Sequence, residues 1–256
     1  MGTSHRRDSF NFHSSPMKHT ILFLTLLLSS VAPSFAHFMW VETNPTGHID
    51  QSQEVRVFFG EYTYGVFEKV GEESFNKMAD FDLWVVSPSG KKSTLKTTAK
   101  ENAYVAQFTP TENGTYTVIL DNNNIEVIDY TKYDFGIFKT HYHSVVPVQV
   151  GTNITDSVLQ NEKGLAIKKI ATNDDTVLLQ VFFQNKPLAK NELTVFVADQ
   201  WSKTLYTDED GKVSFELPWD TKYIVETTTK EEVPGKYKGD AYEFVWHCAT
   251  MPLLLH

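Results

Sequence analysis

The sequence holds a single cysteine, Cys248, among 256 residues, which excludes an internal disulfide framework and a cysteine-based zinc finger. Positive charge is scarce as well: 23 Lys and Arg stand against 32 Asp and Glu, for a formal net charge of -9 and a pI near 5.5. That balance leaves no basic footprint for a phosphate backbone and argues against nucleic acid as a partner. Apolar runs are short, and none reaches the roughly 20 residues that span a bilayer. The chain also lacks a G-x-S-x-G elbow, a phosphate-binding P-loop, a GxGxxG fingerprint and an HExxH helix, so the commonest nucleophilic, nucleotide and zinc-protease chemistries have no foothold. What is present is 41% hydrophobic residues, enough to bury a sizeable core.

The first apolar run has a specific form. Met17-Lys18-His19-Thr20 opens onto Ile21–Leu28, and Ser29-Ser30-Val31-Ala32-Pro33-Ser34-Phe35-Ala36 follows with small residues at the positions a signal peptidase reads. Residues 1–36 therefore read as an upstream extension, 1–16, and a secretory signal peptide. The expected product is periplasmic or secreted, has no membrane span, and begins at His37.

From Glu54 onward the pattern is short β-branched and aromatic runs separated by turn residues, which predicts an all-β chain. Strands are expected at 55–59, 81–86, 104–108, 115–120 and 135–143, and then at 165–170, 177–183, 193–198, 203–206, 212–217, 223–227 and 241–248. A short helix is expected within Glu68–Lys77. Two halves echo each other: Val57-Phe58-Phe59-Gly60 matches Val181-Phe182-Phe183-Gln184, and each half carries a tyrosine, Tyr116 or Tyr223, just after a turn. A Greek-key sandwich uses such a tyrosine to tie its phenol to the backbone. The expected architecture is two immunoglobulin-like or transthyretin-like sandwiches, 37–150 and 165–256, joined by a polar linker at Gly151–Gly164.

His37 is the most informative residue in that frame. At a free N-terminus its α-amine and ring Nδ1 can close a chelate on one metal ion, and an amine pKa of roughly 7.7–8.0 makes deprotonation by a metal easy at neutral pH. A third nitrogen would complete a site for Cu(II), or with oxygen ligands for Ni(II) or Co(II). His247, in the aromatic last strand, is the foremost partner. Alternation turns it away from Trp246 and Cys248, and Cys248 reads as a small buried hydrophobe. His141 and His143 form an H-x-H pair that shares one face of a strand. Glu61, directly after Phe58-Phe59-Gly60, can supply an oxygen ligand or orient an imidazole. Each of these residues also has a plain structural reading, as a satisfied core histidine, an edge position or a solvated charge.

The order of these features resembles that of a bacterial secreted family known as domain of unknown function 4198, described with periplasmic components of nickel or cobalt uptake. The residues that carry the likeness are Ala36-His37-Phe38-Met39-Trp40, Val57-Phe58-Phe59-Gly60-Glu61, the Thr207-Asp208-Glu209-Asp210-Gly211-Lys212 hairpin, and Pro234-Gly235-Lys236 followed by His247-Cys248-Ala249-Thr250. The resemblance implies a metal role for His37 and His247 and immunoglobulin-like or transthyretin-like domains. Three functions stay open at this point. One is an extracytoplasmic protein that holds nickel, cobalt or copper through His37, for uptake or for delivery to a membrane metal transporter. Another is a copper-dependent oxidase of the N-terminal-histidine type, with Trp40, Tyr62 and Tyr64 forming a face for sugar. The third is a structural or ligand-binding module whose histidines are incidental.

Overall fold

The computed structural model describes residue 2 and residues 37–154, 161–173 and 175–254; the signal peptide expected before His37 and the middle of the linker lie outside the described residues. The strands of the first half are β1 (Phe38–Thr43), β2 (Thr46–Gly47), β3 (Gln53–Glu61), β4 (Val66–Phe67), β5 (Asp82–Val86), β6 (Lys92–Thr94), β7 (Thr98–Ala99), β8 (Tyr104–Phe108), β9 (Gly114–Asn122), β10 (Ile128–Asp129) and β11 (Ile137–Val150). Those of the second are β12 (Leu165–Asn173), β13 (Thr176–Phe183), β14 (Lys186–Pro187), β15 (Glu192–Val197), β16 (Trp201–Tyr206), β17 (Lys212–Glu216), β18 (Tyr223–Glu231), β19 (Gly235–Tyr237), β20 (Asp240–Tyr242) and β21 (Phe244–Leu253). The expected helix is a single turn, Glu73–Asn76.

The strands assemble around one large sheet that runs β16-β15-β18-β21-β11-β9-β5-β6 and so passes from the second half into the first. The join is the parallel pairing of β11 with β21, in which His141 stands opposite His247 and Tyr142 opposite Cys248. A small sheet, β1-β3-β8-β7, covers one face, and another, built from β12, β13, β14 and β17, belongs to the second half. Period-two alternation divides the large sheet's side chains between two cores. Val85, Val118, Leu120, Val146 and Val148 pack with Met39, Val55 and Val57 on what we term the front face. Trp84, Ile119, Val145, Val225, Ala249 and Met251 pack with Ile167, Leu179 and Val181 on the back face. Each half thus has its own small sheet, but only the front core belongs to one half; the back core draws on both, and the shared sheet makes residues 36–256 one compact unit.

The tyrosine corners form in both halves. The Tyr116 hydroxyl accepts hydrogen bonds from the backbone amides of Thr111 and Glu112 at 3.0 and 3.1 Å. The Tyr223 hydroxyl accepts from the Trp219 amide at 2.8 Å and donates to its carbonyl at 2.9 Å. These ties mark the two sandwiches as immunoglobulin-like.

Strand β1, which the sequence pattern did not predict, is what places His37. Phe38, Met39, Trp40 and Val41 are all buried, because β1 lies between core clusters on both sides: Met39 and Val41 join the front core, and Phe38 and Trp40 join an aromatic cluster with Phe58, Tyr62 and Cys248. One edge of β1 pairs with β3, Phe38 opposite Gly60. Polar side chains of the large sheet hold groups on the rest of its backbone. Tyr142 donates to the His37 carbonyl at 3.1 Å, Thr250 donates to the Met39 carbonyl at 2.8 Å, and the Ser144 hydroxyl accepts from the Val41 amide at 3.2 Å.

Candidate functional site

The candidate residues fall into two clusters on opposite faces of the large sheet. The front cluster centres on His37. Strand β3 ends at Glu61, the chain turns through Tyr62–Tyr64 as a short 3-10 segment, and β4 folds back so that Gly60 pairs with Phe67. Gly60 permits this reversal: its φ is +152°, and a Cβ there would collide with the Val66 carbonyl oxygen. The hairpin sets two carboxylates on the two sides of one imidazole. Nδ1 of His37 lies 3.0 Å from Glu61 Oε1, and Nε2 lies 2.8 Å from Glu68 Oε1. The ring is 37% exposed, and the two carboxylates are 19% and 18% exposed.

This contact has a chemical consequence. A neutral imidazole carries one N–H and one lone pair, and an ionised carboxylate only accepts. One side of the ring can therefore donate to its carboxylate, while the other sets a lone pair against an oxygen unless a proton or another cation stands there.

Below the hairpin, the backbone of His37 is held by Tyr142, and burial drives the Tyr142 phenol well above its usual pKa. Cys248 stands opposite Tyr142 in the β11–β21 pairing. Its thiol is buried and donates to Glu226 Oε1 at 3.2 Å, and burial followed by the Glu226 charge raises its pKa, as a buried small side chain requires. Burial also pushes the Glu226 carboxyl up, to about 7.

The back cluster contains His141, His143 and His247, each less than 5% exposed. Asp121, on β9, accepts from His141 Nε2 at 2.8 Å and from His143 Nδ1 at 3.2 Å. Burial works against that carboxylate's charge, yet the two imidazole hydrogen bonds more than offset it and hold its pKa below the ordinary range. His247 Nε2 meets Glu231 Oε2 at 2.9 Å, and its ring stands 5.2 Å from the His141 ring and 5.1 Å from Phe183. Burial lowers the pKa of His143, and that of His247 to about 4, so both are neutral near pH 7. His143 Nε2 and His247 Nδ1 are buried without a hydrogen-bond partner. Gly164 closes over His141, where a Cβ would lie 2.7 Å from Nδ1.

The expected grouping of His37 with His247 does not form, because Tyr142 and Cys248 face His37 while their strand neighbours His141 and His247 face away. His37 and Glu61 do come together, as do His141, His143 and His247. Among the described residues, no three His, Cys, Asp or Glu side chains are grouped as an ion would require. Trp40 and Tyr62 are buried, at 0% and 5% exposure, and only Tyr64 faces solvent. The flat aromatic face expected of a sugar oxidase is therefore reduced to one ring. Sequence reasoning missed Glu68, Asp121 and Glu231. A signal for Glu68 was present in Gly60 and Gly65, which bracket a hairpin that brings it back beside Glu61. Asp121 and Glu231 required knowledge of non-local strand pairing.

Among the described residues no helix is long and apolar enough to cross a membrane. No curated protein matches the chain. Solved structures with some likeness include a Salmonella alpha-2-macroglobulin, at 11% identity and a TM-score of 0.29, over 89% of this chain and 15% of that one. A Parabacteroides merdae β-glucuronidase has 10% identity and a TM-score of 0.25 over 86% and 25% of the two chains. A two-domain fibronectin type III segment of chicken tenascin has 13% identity and a TM-score of 0.21 over 81% and 95%. This chain thus spans a small fraction of the two larger proteins, and none of the three carries weight for function. The family match is of another order: a family model covers residues 34–231, and the chain belongs to the family described as a domain of unknown function, DUF4198.

Proposed function

We propose that the protein is an extracytoplasmic metal-binding protein that holds one Ni(II), Co(II) or Cu(II) ion at His37 and serves metal uptake or delivery to a membrane transporter. The observation that carries this reading is the imidazole of His37 set between two carboxylates, a geometry that calls for a proton or a metal ion on one side of the ring. With the leader removed, the α-amine and Nδ1 supply two nitrogens and Glu61 supplies an oxygen. Two ligands set at right angles about 2.0–2.2 Å from one ion, as in square-planar Ni(II) or Cu(II) sites, stand about 2.8–3.1 Å apart, and Nδ1 and Glu61 Oε1 are 3.0 Å apart. The donor set contains no sulfur, since Cys248 is buried with Glu226 and Met39 lies in the core; nitrogen and oxygen ligands suit borderline divalent ions. The acidic composition favours cations in the surrounding field.

The test is an anomalous difference map from a crystal of the protein processed to start at His37 and soaked in a nickel salt. The reading expects a peak within bonding distance of His37 Nδ1 and Glu61. A peak confined to His141 and His247, or none, refutes it.

A further inference from the structure

We infer that Glu68 is a positioning residue that fixes which nitrogen of His37 faces the ion, an inference that rests on the proposed metal site. The α-amine can close a ring only with Nδ1, since Nε2 points to the far side of the imidazole. Nδ1 must then be the lone-pair nitrogen, and the single proton of the neutral ring must reside on Nε2. Glu68 stands where that proton needs an acceptor, 2.8 Å from Nε2, closer than Glu61 is to Nδ1 at 3.0 Å.

The fold holds Glu68 firmly in place. Its backbone amide donates to the Phe59 carbonyl at 2.9 Å, just past the β3–β4 pairing, and its carboxylate is 18% exposed. Both ends of the contact are therefore fixed: His37 by β1 and Tyr142, Glu68 by the hairpin. A carboxylate that accepts the remote N–H of a ligating imidazole sets the tautomer and raises the basicity of the other nitrogen. The two acids on His37 thus divide the work. Glu61 lies on the ion's side, and Glu68 holds the proton.

The experiment uses the protein processed to start at His37, with Glu68→Ala and Glu68→Gln variants, and Ni(II) as the probe. Two-bond nitrogen-15 correlation spectra of the metal-free protein, followed upward in pH until the ring carries a single proton, report the tautomer. Wild type is expected to show His37 with the proton on Nε2, and Glu68→Ala a mixture. Calorimetric affinity for Ni(II) is expected to fall about 10–100-fold in Glu68→Ala, the usual cost of losing such a partner. Glu68→Gln keeps an acceptor and is expected to recover part of both signals. An unchanged tautomer in Glu68→Ala, or affinity within about threefold of wild type where an outer partner should cost more, overturns the assignment. If wild type itself binds no Ni(II), the metal reading fails, while the tautomer spectra still decide whether Glu68 sets the ring.

Discussion

The two histidine clusters sit on opposite faces of one sheet, and they contrast in almost every physical respect. On the back, three imidazoles in mid-strand are buried, at least two are neutral near pH 7, and every carboxylate contact is an ordinary donation from an N–H to Asp121 or Glu231. On the front, one imidazole at a strand terminus is partly exposed and is flanked by acceptors on both nitrogens. The back cluster satisfies its N–H donors from within the protein, though His143 Nε2 and His247 Nδ1 stay unpartnered, whereas in the front cluster carboxylates flank both ring nitrogens. Histidine count favours the back cluster as a metal site; the proposed reading favours the front, where one partly exposed ring meets two carboxylates.

Blocking the front site should separate the two clusters most strongly. One extra residue before His37 removes the amine chelate and is expected to weaken Ni(II) affinity at least about 100-fold, the upper end of what loss of even an outer-shell partner costs. Replacement of His247 by Asn, on the back, should leave that affinity unchanged. If the back variant abolishes binding while the blocked front keeps it, the assignment of the two faces is reversed.

Stability should respond in the opposite sense. Asp121→Ala strands the imidazole donors of His141 and His143 in a buried setting and is expected to cost about 3 kcal/mol, from two hydrogen bonds to a charged acceptor. Glu61→Gln, on the partly exposed front, should change stability by less than about 1 kcal/mol. Urea unfolding midpoints of the two variants compare them directly, and equal losses would show that the front cluster is as structural as the back.

A third contrast concerns pH. The His247 pKa falls from 6.5 to about 4 on folding, so its neutral form is favoured in the native state. Its contribution is complete above pH 6.5 and is lost as pH falls through about 4. On the front face, Glu226 rises from 4.5 to about 7. Its contribution is complete below pH 4.5 and is lost as pH rises through about 7. Within that window the two faces oppose each other. Glu226→Gln removes the acid-favouring part, and its unfolding midpoint should climb more steeply from pH 5 to pH 7 than that of wild type. Parallel pH curves for the two proteins would remove Glu226 from the account.

The smallest expected effect is Tyr142→Phe, which deletes one hydrogen bond to the His37 carbonyl and should cost about 1 kcal/mol. Thermal unfolding is sensitive enough to read it, and a null result would mean that Thr250 and Ser144 hold β1 without help.

Much of this fold was legible because alternation survives wherever a strand has one buried face. Strands β8 and β13 come within a residue of expectation, and both tyrosine corners announced themselves by a tyrosine after a turn. Strand β1 hid because Phe38, Met39, Trp40 and Val41 are buried on both sides, which erases period two. Strand β11 ran on beyond its expected end at His143 through Pro147. That proline pairs with Thr117 on one side, while the pairing with β21 on the other stops at Ser144 and β2 begins only at Gln149. Proline, which has no N–H to donate, is tolerated where no neighbouring strand needs one from it. The H-x-H pair was correctly set on one face, but the parallel pairing that puts His141 beside His247 and turns both away from His37 joins residues more than a hundred positions apart. Local pattern carries no trace of such a pairing.

On the proposed reading the ion sits at His37 with its amine free. Isothermal titration of Ni(II) into the protein processed to start at His37, beside the form with one added residue, tests it most directly. Tight binding of one ion in the first and its loss in the second is expected; equal binding in both would refute the proposed site.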